Sequence, residues 1–347
     1  MPPGKRPAPQ NQPASVLVIR FSAMGDVILT RPVLLEFRRT YPLTKITLLS
    51  QELFRPLFVD IEGLTFIGAD LKKKHKGLKG LRALSKELKK FQFDAVVDLH
   101  NVLRSVLVSI FLGLPVMRID KGRKEKRGLT KRRHKILKPL KHTAQRYADV
   151  FAKVGFVLQT DFLEKISSPE KAPERKSGKT FKIGVAPLSR HPLKEWPTGK
   201  MKQLMKSIAD DFRVEFFILG GGGEIDRLQE YRGKNVTIMA GSLNFADEIH
   251  FVAGLDMVIT MDSANMHLAG ILAIPCVSIW GPTHPWAGFG PIGSRSLLVQ
   301  NSALDCRPCS VFGAKPCYRK DHACMEQLSA EEVYREVKPF ITGCIGD

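Results

Sequence analysis

Four short stretches combine polar side chains with glycine or a helix start in ways suited to moving protons or holding anions. Ser22-Ala23-Met24-Gly25-Asp26 sets a carboxylate at the head of a helix, behind a glycine that permits close backbone approach. Asp26 fits two roles there: a cap on the helix, or a carboxylate serving as general base. Gly220-Gly221-Gly222-Gly223-Glu224 offers backbone amides to a phosphate or ribose, with Glu224 accepting from sugar hydroxyls. It departs from G-x-G-x-x-G because Ile225 stands in the third glycine's place, and a flexible connector is the plain alternative. Thr260-Met261-Asp262-Ser263-Ala264-Asn265-Met266-His267 runs from a strand end into a helix start. Free amides, the helix dipole and the Ser263 hydroxyl would converge there on an anion, while His267 reads equally as a core histidine. In Lys194-Glu195-Trp196-Pro197, Lys194 either pairs with a phosphate or is a solvated loop lysine.

Sulfur supplies a further cluster. Cys306, Cys309, Cys317 and Cys324 are separated by 2, 7 and 6 residues. A C-x-x-C pair followed by two more cysteines suits a tetrahedral structural zinc, although the intervals are not those of a zinc finger. Unliganded thiols or a disulfide are the alternatives.

The elements that must position these residues alternate between strand and helix. Ser15–Phe21 (SVLVIRF) reads as a buried strand, followed by a helix over Val27–Thr40, a strand at Lys45–Ser50, a helix at Leu78–Lys90, a strand at Ala95–Leu99 and a helix at Arg104–Leu112. After a polar, Pro- and Gly-containing linker at 167–180 the alternation restarts, with strands at Phe181–Ala186, Val214–Leu219, Val236–Met239, Met257–Met261 and Cys276–Trp280. Strands separated by helices predict parallel sheets, hence two α/β domains over 15–166 and 181–328, with a Cys-rich loop at 305–325. A final helix starts at Ser329, with Glu332 completing a capping box, and occupies 329–347.

The chain has 347 residues and a formal net charge of +20. Residues 1–180 hold 37 Lys and Arg against 16 Asp and Glu, whereas 181–347 hold 17 against 18. The excess points to an anionic partner for the first half. It peaks in Lys121–Lys141, with eleven Lys and Arg and one Glu. Without interleaved aromatics this stretch is a poor stacking platform for single-stranded nucleic acid, and acidic lipid headgroups or a glycolipid suit it as well. The apolar run Val106–Met117 is too short to span a bilayer, and the N-terminal segment 1–14 reads as a disordered tail rather than a secretory signal. A reducing cytosol is therefore the expected compartment.

Taken together and in order, VLVIRFSAMGDVILTRPVLLEFRRTYP (16–42), AVVDLHNVLRS (95–105), Lys194-Glu195-Trp196-Pro197, the glycines ending in Glu224, Asp262–His267 and Trp280-Gly281-Pro282-Thr283 resemble the family 9 glycosyltransferases, the heptosyltransferases. The resemblance covers about residues 15–342 and implies a GT-B fold, with two Rossmann-like domains facing a cleft and a last helix crossing back to the first domain. It implies inverting, metal-independent transfer of heptose from ADP-heptose to a lipopolysaccharide inner-core acceptor, with Asp26 as general base. Lys194, Glu224, Asp262, Ser263, Ala264 and His267 would hold the donor. The loop ahead of Lys194 departs from the family's Thr-rich version, being Pro187-Leu188-Ser189-Arg190-His191, and Ser189 would still donate a hydrogen bond to the phosphate. Gly25, Arg104, Lys131, Arg132 and Arg133 would face the anionic acceptor or the inner membrane leaflet. The expectation is thus a cytoplasmic monomer, peripheral at the inner face of the cytoplasmic membrane, with no catalytic cofactor, no nucleic-acid partner and a structural zinc on the four cysteines. The competing readings are another nucleotide-sugar donor, an inactive sugar-nucleotide-binding module, or a nucleic-acid-binding protein with a basic arm.

Overall fold

The computed structural model describes residues 12–159, 161, 163, 180–293 and 295–346. The tail at 1–14 and the linker at 167–180 lie almost wholly outside them. The chain forms two compact units: Met1–Lys121 with Thr143–Phe162, and Gly122–His142 with Leu163–Asp347.

The first unit is built on five parallel strands, β1 (Ser15–Ile19), β2 (Lys45–Gln51), β3 (Leu64–Ala69), β4 (Ala95–Asp98) and β5 (Val116–Arg118), in the order β3-β2-β1-β4-β5. All five residues of β1 are buried, as a β-branched run covered on both faces requires. Val18 sits between Leu48 of β2 and Val97 of β4. Helices Gly77–Leu88 and Leu103–Leu112 share one core with the sheet, through Leu81, Leu84 and Leu88 on one side and Val108 and Leu112 on the other. The single helix expected over Val27–Thr40 is two, Met24–Ile28 and Thr30–Thr40.

Six parallel strands make the second sheet: β6 (Phe181–Ala186), β7 (Val214–Ile218), β8 (Val236–Ile238), β9 (Met257–Met261), β10 (Cys276–Trp280) and β11 (Ser296–Gln300), ordered β11-β10-β9-β6-β7-β8. In both sheets the chain reverses its direction of travel beside the first strand, between β1 and β4 and between β6 and β9. Such switch points open a crevice at the carboxyl ends of the strands, where ligands of open α/β sheets bind.

Two assignments differ from expectation. The basic stretch, placed by sequence order in the first domain, belongs to the second unit from Gly122 to His142. The physical reason is a set of specific bonds. Lys135 Nζ donates to the carbonyls of Cys306 and Pro308 at 2.5 and 2.8 Å. The Leu140 amide donates to the Trp286 carbonyl at 2.9 Å, and His142 Nε2 lies 3.1 Å from the Gly290 carbonyl. Leu129, Leu140 and Ala287 form a small core of their own. The last helix, Ala330–Gly346, which the resemblance sends back to the first domain, is part of the second unit. Its Val333, Val337 and Ile341 are fully buried in that unit's core, and Lys338 pairs with Asp211 at 2.5 Å. The Ser329–Glu332 capping box that opens it is formed in both directions, at 2.8 and 3.2 Å.

Candidate active site

In the first unit the carboxyl end of β1 delivers Arg20 and then the Asp26 turn. Arg20 is buried. Its guanidinium pairs with Asp26 Oδ2 at 2.6 Å and donates to the Leu99 carbonyl at 2.6 Å. Tyr147, fully buried, faces the Arg20 guanidinium 5.6 Å from its ring centre and donates its hydroxyl to the Asp26 carbonyl at 3.2 Å. Asp26 also accepts the Ala23 amide at 3.3 Å, so it does cap its helix. Capping does not use it up: its side chain is still 26% exposed.

A second carboxylate stands beside it, at the end of β4. Asp98 is wholly buried and accepts the amides of His100 and Asn101 and the Ser105 hydroxyl, at 2.9, 2.8 and 2.9 Å. It shapes the turn that carries His100 and Arg104. Burial, reinforced by Arg20, Lys121 and Arg104, pushes the His100 imidazole down to about 3 and keeps it neutral at ordinary pH. Of the two carboxylates only Asp26 has an open face for a substrate. Gly25 lies in the same turn as Asp26, and Arg104 is exposed on the helix that follows β4.

The second unit gathers its polar residues at the carboxyl ends of three adjacent strands, β7, β6 and β9. After β6, Lys194 Nζ meets Asp262, 3.2 Å from its Oδ2 and hydrogen-bonded to its carbonyl; both side chains are nearly buried. Ser263 caps the helix Ala264–Ile271, accepting the Asn265 amide at 3.3 Å, and its hydroxyl lies 2.9 Å from that of Thr260. His267, one turn into the helix, is buried with Nδ1 unpartnered. Burial, with His142 and Lys194 adding, pushes it down to about 3, so it is neutral. Ser189 donates its amide to Glu195 at 3.0 Å, and Glu195 is held in turn by Arg227 at 2.5 Å. Glu224 folds back onto the Gly221 amide at 2.8 Å, closing its own glycine turn.

Lys131, Arg132 and Arg133 are exposed, and they belong to the unit that carries the donor-side residues, not to the one that carries Asp26 and Arg104. Arg132 lies 4.6 Å above the Tyr318 ring, between two of the clustered cysteines in sequence. Cys306, Cys309, Cys317 and Cys324 do line one pocket. They are free thiols, and burial pushes Cys324 up to about 12 and raises Cys309. Among the described residues no group of three or more His, Cys, Asp or Glu is arranged to hold a metal ion.

Sequence reasoning missed Arg20, His100 and Tyr147. Arg20 had a readable signal, a single charge ending the apolar run SVLVI; Tyr147, on the helix Thr143–Lys153, had none.

Two parallel Rossmann-like sheets, each with its polar cluster at a switch point, define a glycosyltransferase fold of the GT-B type. Residues 81–316 match the model of glycosyltransferase family 9 (heptosyltransferase), and the chain belongs to that family. Lipopolysaccharide heptosyltransferase 1 of Pseudomonas aeruginosa is 23% identical over 85% of this chain and 85% of its own. Among solved structures, a family 9 glycosyl transferase from Veillonella parvula superposes with a TM-score of 0.74 at 17% identity, covering 95% of this chain and 98% of the other. Escherichia coli heptosyltransferase WaaC with ADP superposes at 0.65 and 19% identity, covering 94% and 99%.

Proposed function

We propose that this glycosyltransferase moves a heptose from ADP-heptose to the inner core of a lipopolysaccharide acceptor, with inversion and without a catalytic metal. The observation that carries the reading is the contrast between the two switch-point carboxylates: Asp98 is consumed by three hydrogen bonds, whereas Asp26 is fixed by Arg20 and keeps an open face. Asp26 takes the proton of the acceptor hydroxyl as its oxygen attacks the anomeric carbon. The bond from that carbon to the diphosphate breaks, and ADP leaves with the electron pair. Lys194, Ser263 and the amides at the start of Ala264–Ile271 neutralise the departing charge, the part a divalent cation plays elsewhere. Asp262 aims Lys194. Ser189, Glu224, Ala264 and His267 complete the donor side, the neutral imidazole of His267 offering its Nδ1. Gly25 lets the acceptor approach Asp26 closely, while Arg104, Lys131, Arg132 and Arg133 meet its phosphates and acidic sugars.

The reading is supported by the names of two relatives, a lipopolysaccharide heptosyltransferase and a heptosyltransferase with ADP. The reading also takes the enzyme to be a monomer, peripheral at the inner face of the cytoplasmic membrane; among the described residues no helix is long and apolar enough to cross a membrane. Isothermal titration with ADP-, UDP- and GDP-sugars tests the donor. Tight binding of ADP-heptose alone is expected, and preference for a UDP- or GDP-sugar would assign a different transfer. Turnover should persist in EDTA; its loss, with recovery on added magnesium, would reject metal independence.

A further inference from the structure

The outer layer of the first unit carries a charge that the transfer chemistry does not use. From Asp70 to Lys90 there are nine Lys and Arg and two acids. Of the acids, Glu87 is paired with Lys74 at 2.9 Å, and Asp70 accepts the Lys72 and Lys73 amides at 3.2 and 2.9 Å. Lys79, Arg82 and Lys86 are exposed at i, i+3 and i+7, which sets them in one outward row along Gly77–Leu88. Leu81, Leu84 and Leu88 anchor the opposite face of that helix in the core.

The helix packed beside it, Leu103–Leu112, turns Leu103 and Ile110 outward at the same seven-residue interval, 74% and 61% exposed. Leu78 and Phe91, at the two ends of the cationic row, are 61% and 48% exposed. Four large exposed apolar side chains thus border one cationic row, and apolar groups rimmed by charge mark interaction surfaces.

We propose that this two-helix face docks the enzyme onto an anionic phospholipid bilayer. The ammonium and guanidinium groups are drawn to acidic headgroups, and Leu78, Phe91, Leu103 and Ile110 enter the boundary between headgroups and acyl chains. A polyanion such as RNA would satisfy the cations and leave the apolar residues in water. A second copy of the chain would bring the same positive row against itself. The inference deepens the glycolipid-acceptor reading and takes its biological sense from it. It also separates bilayer contact, on the first unit, from the basic stretch Gly122–His142 on the second.

Flotation of the full-length chain with phosphatidylcholine vesicles, with and without phosphatidylglycerol, tests it. Binding only to the anionic vesicles is expected, weakening as salt rises. The triple charge reversal K79E/R82E/K86E should lower the partition coefficient at least about tenfold. Leu78→Ser with Ile110→Ser should lower it several-fold, roughly in line with the apolar area withdrawn. Both variants should keep the wild-type melting temperature and ADP-heptose affinity. Undiminished flotation of the charge-reversed chain, or loss of flotation only when Lys131, Arg132 and Arg133 are replaced, would overturn the proposal. So would wild-type binding to RNA, or self-association, without binding to anionic vesicles. Failure of the wild type to bind ADP-heptose would count against the transfer reading and leave the flotation result standing.

Discussion

At the scale of single residues, the site is a matter of which charges are already committed. Arg20 and Lys194 each hold a carboxylate, but the two pairs differ in what they leave open. Asp26 keeps a quarter of its surface exposed, whereas the Lys194–Asp262 pair is almost closed. In the proposed transfer a donor diphosphate recruits Lys194 from this preformed contact, so its charge is aimed before the ligand arrives. Lys194→Ala should weaken ADP binding at least about tenfold, as loss of a hydrogen bond to a charged group does; an unchanged dissociation constant from calorimetry would remove Lys194 from the donor site. The two neutral histidines make a separate prediction. The unfolded chain protonates them near the ordinary value of about 6.5, whereas the folded chain holds both down to about 3. Their contribution to stability is therefore complete above about pH 6.5 and lost as the pH falls toward about 3. His100→Asn and His267→Asn should each flatten the decline of melting temperature across that window, and slopes equal to wild type would contradict the neutral, buried assignment. Asp26, Glu224 and the Asp262–His267 run were legible as turn residues because each lies where a strand gives way to a helix, and Lys194, at the end of a short 3-10 turn, through the Lys-Glu-Trp-Pro run it opens. Tyr147 was not, because its role exists only once β1 and the helix Thr143–Lys153 are brought together, and Arg20 showed only as a charge ending an apolar run, with its partners unreadable.

At the scale of elements, the buried strands were read almost to the residue: Met257–Met261 and Cys276–Trp280 stand as expected, being short apolar runs between turn signals. The strands that escaped, β3, β5 and β11, are edge or near-edge strands with weaker patterns. β3 ends in a glycine and an alanine and is half-exposed, and β5 is three residues long directly after Pro115. The last helix was legible through its capping box and its i, i+4, i+8 apolar stripe, yet nothing in that stripe says which unit it covers. Its anchoring is testable: Ile341→Ala removes a fully buried side chain and should cost about 2–4 kcal/mol of stability in urea unfolding. A cost below about 0.5 kcal/mol, the range of surface substitutions, would mean that the helix is not part of the core.

At the scale of the whole molecule, charge is distributed differently from its order along the chain. Counted by compact unit, the first holds 22 Lys and Arg against 12 Asp and Glu, and the second 32 against 22, a surplus of +10 in each. The neutral second half is neutral only until Gly122–His142 docks on it. That docking rests on Lys135 meeting two backbone carbonyls and on Leu140 entering a small core, contacts invisible to any window along the sequence. Both units are therefore net positive. The central claim is that Asp26 is the base of the transfer, and it is tested most directly by turnover of ADP-heptose with a lipopolysaccharide inner-core acceptor by Asp26→Asn. The account predicts a fall in kcat of at least about 100-fold, the scale of general-base catalysis, with donor affinity within a few-fold of wild type. Near-normal turnover by that variant would contradict it.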